Sequence, residues 1–257
     1  MQFANVEGIR EVPHPGLRGN CPLCNQAALA KCGPKKLWHW AHHGRRHCDP
    51  WWENETDWHR DWKSHFPEEC REVVHFDLVT GEKHVADVKT KRGMVIEFQH
   101  SAMSAEELNS REQFYKHMIW IVDASAFKKD FEVMDPPLPH PKSKLLDEVV
   151  FHSQVPETFF KRADIAREPT SLHELHRAET IQSQILDDYR GHHFYKWKRA
   201  RDIWLEASMP VFLDFGDEKL FRLMRYNPQS QRCVQIIPKL ALLEKNGAYI
   251  NVSPCEA

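Results

Sequence analysis

The sequence has no apolar run approaching the ~20 residues that a membrane-spanning helix needs. Its N-terminus also lacks the hydrophobic core of a secretion signal. A soluble, cytoplasmic protein is the expectation. Charge of one sign is missing too: 35 Lys and Arg stand against 37 Asp and Glu, a net charge of -2. No global basic field therefore draws the chain to nucleic acid, and any such contact must come from local patches. Short basic stretches occur at Lys35-Lys36, Arg45-Arg46, Lys89 to Arg92 and Lys196 to Arg201, and each alone reads more simply as a solvated face. Seven cysteines are an odd number, and their one tight cluster is of the CxxC type. That argues against a disulfide framework and for a reduced compartment with a metal site. What remains, 41% hydrophobic and 28% charged residues over 257 positions, fits a globular protein of one large or two modest domains.

The most informative stretch is HVADVKTKRGMVIEFQHS, His84 to Ser101. It reads as two short strands joined at Thr90-Lys91-Arg92-Gly93, a polar connection with the glycine usual in hairpins. Asp87 lies mid-way along the first strand and Glu97 along the second, which ends in Gln99 and His100. Burying an acid in each of two paired strands is costly unless a cation compensates it. Adjacent strands lie about 4.8 Å apart, so two such carboxylates can grip one divalent ion. The plainer alternative is a solvated hairpin, but Asp is depleted in strands and Asp87 sits among Val85, Ala86 and Val88.

Upstream, Cys21 and Cys24 form a CxxC knuckle, and His39 and His42 follow at HxxH spacing. Thiolates and imidazoles suit four-coordinate zinc. The histidine gap is one residue short of the usual finger spacing, and Cys32, His43, His47 and Cys48 compete for places. A structural zinc site is favoured over reduced core thiols with surface histidines, and a redox role is disfavoured because no βαβ pattern surrounds the motif.

Residues 51–66, WWENETDWHRDWKSHF, are expected to form a helix stopped by Pro67. Glu55, His59 and Trp62 would share one face, with Lys63 four residues beyond His59. Val73 to Val79 reads as a strand. After the hairpin, Ser104 to Glu107 forms a capping box for a helix to about His117 that carries Arg111, and Ile119 to Val122 is a buried strand. The order over 51–123 is helix, three meandering strands, helix, strand, which makes a mixed sheet with helices on its faces.

That ordered set resembles the PD-(D/E)XK nuclease superfamily and, more closely, the competence CoiA-like family. The matching residues are the CPLC knuckle with HWAH, ETDWHRDWK, HVADV, IEFQHS, REQFY and Trp120-Ile121-Val122-Asp123, from about residue 19 to 123. Ala86 stands where the superfamily name has Pro, and Gln99 stands in place of Lys. The resemblance implies a restriction-endonuclease-like α/β core and metal-dependent hydrolysis of DNA. Asp87, Glu97 and the Phe98 carbonyl would hold Mg²⁺ or Mn²⁺, with Glu55 reaching the ion directly or through water. Gln99 would orient the attacking water, and His59 and Lys63 would assist.

The expected organisation is a zinc-binding region at 1–50, the nuclease core at 51–134, a proline-rich linker at 135–144 and a smaller α+β domain at 145–257. The last would open with a short mixed segment, then a long helix or helix pair capped at Ser171 to Glu174 with a break at Gly191, then three antiparallel strands near 211–215, 220–226 and 233–237. Lys196, Lys198 and Arg199, interleaved with aromatic residues, are candidate phosphate contacts. Two other readings compete with the nuclease: a DNA-binding or scaffolding subunit that has lost cutting, and a zinc-stabilised interaction module whose acids form ion pairs. A homo-oligomer or a partner protein is compatible with all three.

Overall fold

The first forty residues pair with one another. Strands β1 (Ala4–Val6), β2 (Ile9–Glu11), β3 (Arg18–Asn20), β4 (Ala27–Lys31) and β5 (His39–His42) form an antiparallel sheet in the order β2-β1-β3-β4-β5. Ala4, Ala28 and Trp40 form its small core. A side chain on Gly19 would begin 2.7 Å from the Asn5 carbonyl oxygen, so only glycine lets β3 approach β1 this closely. The computed structural model describes residues 1–44, 48–155, 157–169, 172–226 and 231–249. Two compact units divide it: one of Met1–Asp123, Glu206–Pro210 and the described part of Leu240–Ala257, the other of Ala124–Leu205 and Val211–Lys239.

Helix α1 (Asp57–Ser64) begins six residues later than expected. Thr56 caps it by accepting from the His59 amide, while the His59 ring reaches back to the Thr56 amide, a reciprocal arrangement that fixes the start. Residues 51–55 are not helical. Glu55 therefore lies one residue ahead of the cap and not on a helical face.

Strands β6 (Arg71–Phe76), β7 (Lys83–Lys89) and β8 (Val95–Gln99), helix α2 (Ala105–Tyr115) and strand β9 (Met118–Asp123) complete the core of this unit. Their sheet order is β9-β8-β7-β6. β6, β7 and β8 pair antiparallel, and α2 is the crossover that lets β9 run parallel to β8. Every residue of β8 is buried, as is Met118 to Val122, which is why these runs lack polar alternation. The mixed α/β core and its element order agree with expectation. β6 ends earlier than read, because Asp77 Oδ1 accepts from the amides of Val79 and Thr80 and turns the chain.

The second unit holds β10 (Phe131–Val133), β11 (Leu138–Pro139), β12 (Val149–Phe151), β13 (Thr158–Lys161), α3 (Arg162–Arg167), β14 (His176–Arg177), α4 (Gln182–Asp187), β15 (Tyr189–Trp197), β16 (Val211–Asp214), β17 (Lys219–Tyr226) and β18 (Gln231–Pro238). Within it β10-β15-β18-β17-β16 form an antiparallel sheet, β11 also pairs with β15, and β12-β13-β14 form a small one. The three C-terminal strands appear as read. The long helix does not: its place is taken by the two-residue β14, the six-residue α4 and the nine-residue β15. Residues 189–197 are rich in Tyr, His, Phe and Trp, which favour a packed sheet surface. Gly191 is no helix break: a Cβ there would stand 2.3 Å from the Ile236 carbonyl oxygen of β18. The proline-rich stretch lies inside this unit, where Tyr226 Oη donates to the Pro139 carbonyl at 2.8 Å. Ser171 and the Asn227-Pro228 turn lie outside the described residues. Among the described residues no helix is long and apolar enough to cross a membrane.

Candidate functional site

The β7–β8 register pairs Val88 with Ile96, and continuing it sets Asp87 against Glu97. At this step the carboxylates replace the backbone ladder. The Asp87 amide donates to Glu97 Oε1 at 3.2 Å, and the Phe98 amide donates to Asp87 Oδ2 at 3.0 Å. Glu97 is buried and accepts from Arg111 Nη1 at 3.1 Å on its other oxygen. The Asp87 side chain is 25% exposed, so it opens onto a cavity of about 260 Å³. Asp49, Glu53, Glu55, Glu72, Asp87 and Glu97 line that cavity, against Lys63, Arg111 and His59. Burial holds Asp87 above the ordinary carboxylate range despite Lys63 and His59. Burial and the neighbouring Asp87 push Glu97 up to about 8 even with Arg111 beside it. A pair of strand acids short of positive charge, offering only oxygen donors, fits a hard divalent cation.

Lys63 lies one turn after His59 on the buried face of α1. Its Nζ is 2.5 Å from Glu55 Oε1, 3.0 Å from Glu72 Oε1 and 3.8 Å from Asp87 Oδ1. Burial would lower its pKa, but the three acids outweigh burial and raise it. Glu72, the second residue of β6, has φ +43°, a left-handed conformation costing roughly 1–3 kcal/mol for a residue with a side chain. Its carboxylate accepts from the amides of Gln2 and Phe3 and from Lys63. Those contacts overcome burial and hold it down at about 2. Glu55, expected to face a metal, is engaged by Lys63 on one oxygen and by Arg60 on the other.

Gln99 is 2% exposed. Its amide nitrogen donates to Glu53 Oε2 at 3.3 Å and to the carbonyl and hydroxyl of Ser101. Its carbonyl oxygen is buried with no hydrogen-bond partner among the described groups. Ser101 Oγ also donates to Glu53, and His59 Nε2 lies 3.4 Å from Glu53 Oε1. The same His59 nitrogen is 3.0 Å from the Phe98 carbonyl oxygen, so one lone pair of that carbonyl is already used. Burial would lower His59, but Glu53 and Asp87 hold it above its ordinary value. His84 and His100 are drawn off to Asp49 and Asp123.

The same cavity is lined by Cys21, His42 and Cys48. One ligand atom from each of Cys21, Cys24, His42 and Cys48 lies within 4.8 Å of all the others. Cys21 Sγ and Cys48 Sγ are 3.7 Å apart, and two thiolates on one tetrahedral zinc, each about 2.3 Å from it, stand about 3.8 Å apart. Burial raises both Cys21 and Cys48, and a cation bound by their thiolates would favour loss of those protons. The cluster is Cys3His, and it corrects one ligand. His39 and His42 sit on β5, where positions three apart point to opposite faces; His39 Nδ1 faces the Leu37 carbonyl at 2.8 Å, and Cys48 fills the fourth place. Cys32 and His43 are not in the cluster, and His47, like Arg45 and Arg46, lies outside the described residues.

Lys196, Lys198, Arg199 and Arg201 are exposed at the end of β15 and just after it, not on a helix. Glu53, Glu72 and Asp49 escaped the sequence reading. Burial alternates over residues 49–55, but the sequence there, Asp49-Pro50-Trp51-Trp52-Glu53-Asn54-Glu55, has no matching alternation of polar and apolar residues and so carried no signal.

Fold and site together define a mixed α/β protein with an acid-lined cavity that also reaches a Cys3His cluster. Residues 83–134 match the family described as Competence protein CoiA, nuclease-like domain, and the chain is CoiA-like over that segment. The segment carries Asp87, Glu97, Gln99 and Arg111 but neither α1 nor the cysteines. No curated protein and no solved structure matches the chain.

Proposed function

We propose that the chain is a metal-dependent nuclease of the PD-(D/E)XK type that hydrolyses phosphodiester bonds of DNA, with a structural zinc at the Cys3His cluster. The observation that carries this reading is the pair of Asp87 and Glu97, facing across neighbouring strands of the CoiA nuclease-like segment and undercompensated in charge. Asp87 and Glu97 would hold Mg²⁺ or Mn²⁺. When bound, such an ion polarises the phosphoryl oxygen and stabilises the leaving oxyanion.

The chain's own groups supply the rest. Arg111 keeps Glu97 in place from behind. His59, whose pKa Glu53 and Asp87 hold above the ordinary imidazole value against burial, would stand next to a bound phosphate. The unpartnered Gln99 oxygen can accept a hydrogen bond from an attacking water and orient it. Lys63 offsets the mutual repulsion of Glu55, Glu72 and Asp87. Lys196, Lys198 and Arg199 are the proposed backbone contacts of the second unit.

The test is incubation with supercoiled, linear and single-stranded DNA plus Mn²⁺, comparing native protein with Asp87→Ala and Glu97→Ala. Loss of cleavage in both folded variants is expected. Native-level cleavage by either would overturn the assignment, and an inert native protein that still binds DNA would favour the non-cutting subunit.

A further inference from the structure

Residues 48–55 join the Cys3His cluster to helix α1 through a turn at 48–51 and a stretch without helix or strand. Burial alternates along them: Asp49, Trp51, Glu53 and Glu55 turn inward, while Pro50, Trp52 and Asn54 are exposed. Each inward residue meets a different support of the acid pair. Asp49 accepts from the Val85 amide at 2.9 Å and from His84 at 2.8 Å, two residues before Asp87 on β7. The Trp51 carbonyl accepts at 2.8 Å from Arg111, the partner of Glu97, and the Trp51 ring stacks on His84 with centroids 3.3 Å apart. Glu53 holds Gln99, and Glu55 holds Lys63. Cys48, at the head of the segment, is one of the four cluster ligands.

We propose that this segment is a strap through which occupancy of the Cys3His cluster sets the geometry of the acid site, so that the cluster is a positioning element as well as a fold staple. What the acid site does rests on the nuclease reading; the coupling itself does not. A turn closed by the Trp52 amide on the Asp49 carbonyl at 3.3 Å and by the Trp51 amide on Asp49 Oδ1 at 3.0 Å follows directly on Cys48, so a shift of Cys48 is passed to Asp49 and Trp51 together. One end of the segment is the metal ligand Cys48 and the other is the cap of α1. Releasing Cys48 frees Asp49 first, and with it the β7 backbone beside Asp87.

The test uses the full chain. Backbone hydrogen exchange and Mn²⁺ affinity are measured with zinc bound and after chelation, and for zinc-loaded Asp49→Asn with Asn54→Ala as the outward-facing control. Zinc removal should speed exchange at Val85 and Phe98 by roughly ten-fold or more and leave β17 unchanged. Mn²⁺ affinity should fall roughly 10- to 100-fold, the scale of losing an outer partner of a metal site. Asp49→Asn should do both while retaining its zinc, and Asn54→Ala should do neither. Native exchange and native Mn²⁺ affinity in Asp49→Asn, or in folded zinc-free protein, would overturn the proposal. Should zinc removal unfold the chain, Asp49→Asn decides. A native protein that binds Mn²⁺ and cuts no DNA would defeat the nuclease reading alone, with the exchange data still deciding the strap.

Discussion

Replacing Lys63 by Met keeps most of the buried stem and removes the ammonium that three carboxylates share. Lys63 is 3% exposed, and its Nζ stands 2.5, 3.0 and 3.8 Å from oxygens of Glu55, Glu72 and Asp87. After the change Glu55 keeps Arg60 and Glu72 keeps two amides, while Asp87 keeps the Phe98 amide and His59. Removing one member of a buried ion pair costs roughly 3–5 kcal/mol. At about 2–4 °C per kcal/mol for a chain of this size, the melting temperature should drop by roughly 6–20 °C at pH 7. The pH dependence gives a second check. Glu72 is held at about 2, below its ordinary 4.5, so its contribution is complete above pH 4.5 and is lost as pH falls towards 2. The gap between native and Lys63→Met should therefore be full at pH 7 and should narrow below pH 4.5. Thermal and urea unfolding at pH 7 and pH 4 would measure it. A loss under about 1 kcal/mol, or a gap that does not shrink in acid, would refute the counterion role.

Cys48→Ser should lose the bound zinc and melt lower, because a structural zinc contributes folding energy directly, whereas His39→Ala should keep about one zinc per chain; metal analysis of both proteins decides between the two ligand sets. Gln99→Ala should slow cleavage by on the order of 10²-fold, the scale of losing one preorganised group, and single-turnover rates equal to native would mean that the amide only props Glu53. In the second unit, burial and the nearby His140 push the buried His192 down to about 4. Its stabilising neutrality is complete above about pH 6.5 and is lost as pH falls towards 4, so His192→Phe should flatten the acid limb of the stability profile over that window, as read by denaturant unfolding.

What the sequence disclosed followed the distance over which its signals act. Asp87 and Glu97 were legible because they lie on one hairpin, where a ten-residue separation and a glycine turn are local facts. The order of helix, meander, helix and strand was legible for the same reason, through Ser104 as a cap and the unbroken apolar run of β9. Glu55 was misplaced because an acid, aromatics and a histidine at i, i+4, i+7 fit a helix as long as nothing reveals that Thr56 and His59 cap each other. The long helix expected after residue 171 failed similarly: Gly191 looks like a helix break until β18 is seen to crowd it.

The parts that stayed hidden are the long-range ones. Asp49 meets Val85 across 36 residues, Trp51 meets Arg111 across 60, and Glu72 meets the Gln2 amide across 70. No periodicity encodes those pairings, because each depends on where two separately formed elements pack. They are also where the unusual costs sit. Glu72 takes a strained backbone, Gln99 leaves a buried oxygen unpaired, and Glu97 stays protonatable near neutral pH beside its own arginine. Local rules broken together in one cavity, in a chain otherwise balanced in charge, are harder to explain as packing than as a site whose remaining positive charge arrives with a bound cation. Lys63 and Arg111 can hold such a cavity together only in part, which is why removing Lys63 should be felt in stability before any reaction is measured.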